Sequence, residues 1–183
     1  MQASLDRFKE AQKEAYQHAY EELSNGKKKT HWMWYIFPQI QGLGYSTLAT
    51  YYAIEDMNEA ISYLDDEELY ARLITLCQVL LEPDKDNASK IFGRLDAQKL
   101  QSSMTLFSYA AELRETKKLQ EESNGMPKLF TKSSNYRKTD KVFNEVLLKF
   151  FNGEKDHKTE EILFFNKQRV EMQDFTPPVQ KQL

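Results

Sequence analysis

Apolar residues recur at spacings of three and four along most of the chain. Between residues 5 and 25 they fall on one face while charged residues lie opposite, which predicts an amphipathic helix. Residues 65–82 and 142–151 repeat this pattern with leucine, valine and phenylalanine. Period-two alternation, typical of half-buried strands, is nearly absent. The pattern therefore predicts an all-α fold, a compact single-domain array of six to eight helices.

Helix boundaries are indicated by short acceptor side chains and by glycines. Gly26 and Gly153 follow apolar periodic segments and are expected to end two of the helices. Glutamate stands three residues after two of the acceptors, as in a capping box. The acceptors that predict helix starts are Ser46, Asp56, Asp65, Asp96 and Asp156.

Residues 30–38 differ from the amphipathic segments because nearly every position is apolar. The segment lacks an exposed face and is predicted to be buried, with an extended backbone near Pro38. Large aromatic runs more often supply buried area than a binding site. Trp32, Trp34 and Phe37 are therefore interpreted first as core residues.

Charge and cysteine content exclude several classes of protein. The net charge of −3 and the pI near 5.7 give no general attraction for nucleic acid or anionic lipid. The basic residues 27–29 and 114–139 are interpreted as solvated, so no nucleic-acid partner is expected. Cys77 is the single cysteine, which excludes an intrachain disulfide and favours a reducing compartment.

The chain also lacks the patterns of a leader, a membrane span and a metal site. Asp6 and Glu10 stand where a signal peptide needs an apolar core, so we expect a cytoplasmic protein without membrane association. His18, His31 and His157 are far apart and none has a second histidine at ligand spacing. We predict no metal and no cofactor.

Several strings of residues together form a specific pattern across residues 5–163. The strings include Arg7-Phe8, Ala11-Gln12, the run from His31 to Gln39, Gly42-Leu43-Gly44 with Ser46, Tyr52-Ala53-Ile54, Ile91-Phe92-Gly93, Asp96, Lys99-Leu100 and the run from Ser102 to Phe107. They resemble the domain of unknown function 1810 (DUF1810) family, an all-helical bacterial and fungal group whose members sometimes carry a "calpastatin" label. The resemblance implies a helical fold and no established substrate or cofactor. The label is set aside because a calpastatin-like inhibitor would be disordered and repetitive.

Two segments depart from this pattern. Residues 114–139 combine many basic residues with serine, asparagine and glycine, which predicts an exposed excursion from the helical domain. The end of the chain, with Pro177-Pro178 and several glutamines, resembles a tail. The expected organisation is one helical domain over residues 1–169, containing the excursion, followed by a flexible tail over residues 170–183.

Polar residues within the family strings are the candidates for chemistry. Backbone N–H groups at a helix start after Gly42-Leu43-Gly44 could hold an anion, although two glycines do not make a dinucleotide fingerprint. Lys99 shares a helix face with two serine hydroxyls, which also suits an anion. The predicted ligand-binding residues are His31, Trp34, Gln39, Gly42, Gly44, Ser46, Lys99, Ser102 and Ser103.

Two functions remain open at this stage. In the first, these residues converge on a pocket that binds or processes a small anionic metabolite, with His31 able to orient the ligand or transfer a proton. In the second, the protein is a helical interaction module and the aromatic motif is structural. Lys99 would then pair with Asp96, and the serines would permit close helix packing. The sequence identifies neither catalytic residues nor a protein partner.

Overall fold

The computed structural model describes residues 5–123 and 138–173, which form nine α-helices and a short 3-10 helix at Lys138–Lys141. The all-α prediction is confirmed, although the described part holds more helices than the six to eight expected. The helices that the sequence pattern did not indicate, at residues 33–36 and 88–92, are four and five residues long, too short to show a periodic pattern. In chain order the helices are α1 (Asp6–Ser24), α2 (Met33–Ile36), α3 (Thr47–Tyr51), α4 (Met57–Asp65), α5 (Glu67–Leu80), α6 (Ala88–Phe92), α7 (Arg94–Ser123), α8 (Val142–Phe151) and α9 (His157–Gln173).

Helix α7 is the central element of the fold. Its 30 residues span about 45 Å at roughly 1.5 Å per residue. It contacts α4, α6, α8 and α9 along its length. Leu100, Met104, Phe107 and Ala111, spaced by three and four, are fully buried, as the sequence pattern indicates.

A row of aromatic rings joins four helices through the core. Phe8 of α1 meets Tyr63 of α4 edge-on at 5.3 Å between centroids. Tyr63 lies 5.1 Å from Phe107 of α7, which lies 5.8 Å from Phe143 of α8. These side chains are fully buried, so each supplies a large apolar area to the core.

Most predicted caps are confirmed by hydrogen bonds. The amide of Ala49 donates to Ser46 Oγ at 3.2 Å, and the amide of Thr159 donates to Asp156 Oδ2 at 2.9 Å. At the start of α4, the amide of Glu59 donates to Asp56 Oδ1 at 2.8 Å, while the Glu59 carboxylate accepts from the amide of Glu55 at 2.7 Å. These ends are specified locally.

Two predicted caps are wrong. The N-cap of α5 is Asp66 rather than Asp65, since Asp66 accepts the amide of Leu69 at 3.1 Å. The two adjacent aspartates carry the same acceptor group, so the sequence pattern located this cap only to within one residue. Asp96 does not precede its helix, because α7 begins at Arg94 directly after Gly93, whose φ is +77°. Its carboxylate pairs with two lysines instead.

The predicted excursion lies partly within the helical structure. Helix α7 continues to Ser123, and Arg114 within it is 4% exposed. Residues 124–137 and 174–183 lie outside the described residues, so the exposed excursion and the tail stay predictions there. Helix α9, which begins after the predicted cap Asp156, extends to Gln173. No helix in residues 5–123 or 138–173 combines the length and apolarity needed to cross a membrane.

Candidate functional site

The aromatic segment between α1 and α3 is mainly part of the core. Residues 33–36 form one helical turn, α2, which the sequence did not predict, and the helix ends before Phe37, whose backbone next to Pro38 is not helical. Trp32 is 1% exposed and lies edge-on to Phe92 at 6.2 Å. Phe37 is fully buried and contacts the same ring at 6.2 Å. The positions of Trp32 and Phe37 therefore agree with their interpretation as core residues.

Glu22, near the end of α1, holds the loop that leads into this segment. Its carboxylate accepts the amides of Lys29 at 2.7 Å and Thr30 at 3.1 Å. The Thr30 hydroxyl donates at 2.7 Å and the Trp32 indole N–H at 2.9 Å. Burial of the carboxylate opposes ionisation, but these donors outweigh it and lower the pKa of Glu22 to about 2.

Asp96 connects the same loop to helix α7. Its carboxylate lies 2.8 Å from Lys28 Nζ and 2.7 Å from Lys99 Nζ. Burial alone would raise the pKa of Asp96, but the two lysines hold it below its usual range. The amide of Lys28 also donates to the carbonyl of Ile91 at 2.8 Å, which fixes the loop beside the end of α6.

Two of the predicted ligand-binding residues meet here. Lys99 Nζ lies 4.8 Å from the centroid of the Trp34 ring, within the range of a cation–π contact. Lys99 keeps 28% of its side chain exposed, and Trp34 is partly exposed. Lys27 and Lys29, which flank the largely buried Lys28 in the loop, and Arg94, at the start of α7, are exposed. We call the surface the basic edge and define it as Lys27, Lys28, Lys29, Arg94, Lys99 and Trp34.

His31 and Gln39 contribute less than predicted. The imidazole of His31 is exposed, and within the described part of the chain it has no contact with Lys99. The backbone carbonyl of His31 accepts the Tyr35 hydroxyl at 3.2 Å. Gln39 acts through its carbonyl, which accepts the amide of Ile54 at 2.8 Å.

The glycine turn has a structural explanation. Gly42 has a φ of +103°, which disfavours other residues, and an added Cβ would lie 3.4 Å from Ile162 of α9. At Gly44 an added Cβ would lie 2.7 Å from the Ala49 Cβ, so only glycine fits. Ser46 caps α3, which has five residues. The turn therefore packs closely against α3 and α9, and it forms no anion-binding site of its own.

The two serines of α7 face the interior of the protein. Ser102 is 6% exposed, and its hydroxyl donates to the carbonyl of Gln98 at 3.1 Å. Ser103 is fully buried, and its hydroxyl has no hydrogen-bond partner. Neither hydroxyl is available to a ligand at the surface, which agrees with a role in helix packing.

A groove of about 750 Å³ lies between the first turns of α1 and the segment that contains α3. We call it the α1–α3 groove, and the sequence analysis did not identify it. Arg7 reaches Glu59 at 2.7 Å and the Ala53 carbonyl at 2.8 Å, with its guanidinium 4.3 Å above the Phe8 ring. Residues lining the groove include Asp6, Arg7, Glu10, Tyr51, Tyr52 and Glu55.

No group of three or more histidine, cysteine, aspartate or glutamate side chains in the described ranges could hold a metal ion. Cys77 is buried beside Met104, at 3.7 Å between sulfurs, and burial raises its thiol pKa above the usual range. The thiol is therefore packed and poorly suited to nucleophilic chemistry.

The comparisons with known proteins identify relatives without assigning a function. Residues 2–133 match the family described as "Protein of unknown function (DUF1810)". The chain is also similar to the crystal structure of the conserved hypothetical protein Rv1873 from Mycobacterium tuberculosis, at 33% identity and a TM-score of 0.70. That similarity covers 87% of this chain and 96% of the other. None of the curated proteins matches the chain.

Proposed function

Because the chain belongs to the DUF1810 family, whose description names no activity, we propose from the geometry that the protein binds a small anionic ligand at the basic edge. The observation that carries this proposal is the contact between Lys99 Nζ and the Trp34 ring at 4.8 Å, on a partly exposed surface. The ring provides an apolar wall beside a cation, a combination that strengthens attraction for an anion.

The local charge balance supports an anion. Lys27, Lys29 and Arg94 are exposed, and no acidic partner is assigned to them within the described residues. Lys28 and Lys99 share the single carboxylate of Asp96. The basic edge therefore has an excess of positive charge, although the whole chain carries −3.

The proposal concerns binding rather than a reaction. Lys99 has three ammonium donors, and Asp96 accepts from one side, so the remaining donors can reach a ligand oxygen. His31 is exposed in the loop between Lys28 and Trp34, where it can add a further hydrogen bond to the ligand. Nothing in this surface activates a nucleophile, and the proposal includes no catalytic step.

The test uses the two indole N–H groups as internal reporters. Inorganic pyrophosphate is titrated into ¹⁵N-labelled protein while the indole cross-peaks are followed by NMR. We expect the Trp34 indole to shift in a saturable manner. The Trp32 indole should move little, because it is buried and bound to Glu22. The proposal would be contradicted if the Trp34 indole did not respond.

Matched lysine variants make this test specific. Lys99→Ala should weaken pyrophosphate binding by about tenfold, as expected for loss of one charged contact of about 1.4 kcal/mol. Lys13→Ala is the control, since Lys13 forms a similar i,i+3 ion pair with Glu10 at 2.6 Å on a different helix, α1. Equal affinities in the two variants would show that Lys99 does not anchor the anion.

A second candidate function, a helical interaction module, is favoured by one other observation. Tyr45 is 93% exposed, and Leu48 and Tyr51 beside it are also largely exposed, so apolar groups face solvent around the short helix α3. Such neighbouring groups are typical of contact surfaces. A Tyr45→Ser/Leu48→Ser variant should then lose crosslinks to a partner in cell extract while keeping pyrophosphate binding. Unchanged crosslinking would exclude α3 as the contact surface.

A further inference from the structure

The α1–α3 groove lies at the end of α1 opposite the basic edge, and its chemistry is different. Its volume of about 750 Å³ is within the usual range of small-molecule sites. Tyrosine rings and carboxylates provide most of its functional groups. We propose that this groove binds an organic cation of the alkylammonium or guanidinium class.

The aromatic wall is held in place by other rings. Tyr52 meets Tyr35 edge-on at 5.0 Å and Tyr51 edge-on at 4.9 Å. Tyr51 nevertheless keeps 58% of its surface exposed at the groove. An aromatic ring that is fixed and still open to solvent can receive a cation on its electron-rich face.

One guanidinium, that of Arg7, is already held beside the groove. This group lies 4.3 Å over the Phe8 ring, 2.7 Å from a Glu59 oxygen and 2.8 Å from the Ala53 carbonyl. Ring, carboxylate and carbonyl oxygen are therefore the set with which this part of the fold holds a cation. Tyr51 and Glu55, which line the same groove, repeat the ring and the carboxylate next to open space.

Charge favours the same class of ligand. Glu59 compensates Arg7, and Lys13 pairs with Glu10 at 2.6 Å. The carboxylate of Glu55 adds negative charge to the lining of the groove. An anion would meet this charge unfavourably, whereas an ammonium or guanidinium ion would be attracted at low ionic strength.

The experiment compares a cation with a neutral molecule of the same shape. N-acetyl-arginine amide and N-acetyl-citrulline amide are titrated into the full chain at low salt and followed by NMR, and spermidine is a separate alkylammonium probe. We expect saturable shifts at the amides of residues 50–55 with the arginine derivative and with spermidine, and at least about tenfold weaker binding of citrulline. Equal binding of arginine and citrulline would overturn the proposal, as would the absence of any shift with the two cations.

Variants then locate the cation. Tyr51→Ala and Glu55→Gln, at exposed positions, should each weaken the affinity for N-acetyl-arginine amide several-fold. Tyr45→Ala is the matched control, because Tyr45 is 93% exposed and does not line the groove. Thermal unfolding confirms that each variant is folded. If both groove variants bound the cation as tightly as the Tyr45 control, the assignment to this groove would be wrong.

Discussion

Glu22 illustrates how one side chain determines the shape of a loop. It accepts two backbone amides, a hydroxyl and an indole N–H from residues seven to ten positions further along the chain. The Glu22 carboxylate thus satisfies the indole N–H of Trp32, which would otherwise oppose burial of that side chain. The loop then presents Lys28 to Asp96 and Trp34 to Lys99.

Glu22 should also make the stability of the protein depend on pH. Its pKa in the folded state is about 2, below its ordinary value of 4.5. A lowered pKa adds stability that is fully present above pH 4.5 and is lost as the pH falls toward 2. Because solvent screens this partly exposed carboxylate, we expect Glu22→Gln to cost about 2 kcal/mol at pH 7, less than the whole pKa shift would give, and much less near pH 2, as measured by urea unfolding.

Glu21→Gln is the control for this measurement. Glu21 is exposed and its carboxylate accepts one side-chain hydrogen bond, from Gln17 at 2.9 Å. Its loss should change the free energy of unfolding by less than about 0.5 kcal/mol at both pH values. A Glu22 effect that did not shrink on acidification would show that packing, rather than charge, explains the loss.

At this scale the sequence revealed the candidate residues and their local contacts but not the long-range ones. Lys99 and Trp34 were both predicted to bind a ligand, and they lie together. Asp96 was predicted to cap a helix or to pair with Lys99, and it does pair with Lys99. Its second partner, Lys28, was not foreseen, because the position of Lys28 beside α6 depends on long-range packing. Such a contact leaves no local pattern in the sequence.

Helices α4, α5 and α7 meet the 3-10 helix at a buried ion pair. Arg114 of α7 donates to Asp140 Oδ2 and, at 2.7 Å, to the carbonyl of Leu64. The Tyr70 hydroxyl donates to Asp140 Oδ1 at 2.7 Å. Arg114 and Asp140 are nearly inaccessible, so removing one partner leaves a buried charge.

We expect Asp140→Asn to lower the free energy of unfolding by about 3 kcal/mol, measured by urea denaturation. Lys118→Ala is the control, because Lys118 is half exposed and lies 3.6 Å from Asp65 in a weak surface pair. That variant should cost less than about 0.5 kcal/mol. The importance of the buried pair would be disproved if the two variants were equally stable.

Local signals predicted helices well where they were periodic or capped. The caps at Ser46, Asp56 and Asp156 were identified from acceptor side chains alone. Helix α2 was missed, since a single turn of apolar residues has no exposed face and looks the same as a buried strand. Arg114 was placed in the exposed excursion because its basic neighbours suggested a solvated segment, although its own side chain is buried.

On the scale of the whole molecule, the folded parts on either side of residues 124–137 pack against each other. Helix α8 contacts α5 and α7, and Phe143 of α8 lies 5.8 Å from Phe107 in the core. The ion pair between Arg114 and Asp140 adds a polar contact between the same two parts. We therefore expect the two parts to stay together when the chain between them is cut.

Limited proteolysis should reveal this arrangement. The sequence predicts that trypsin cuts first after Lys128, Lys132 or Arg137, because the composition around them is polar and typical of loops. Arg114, at 4% exposed, should be protected by its burial. We expect the two fragments to elute together by size exclusion and to separate in denaturant, because the buried contacts of α8 remain intact.

Asp140→Asn should promote separation of the two fragments at lower denaturant concentrations, since it weakens the ion pair beside the cut. Early cleavage at Arg114, or immediate separation of the fragments, would contradict this packing.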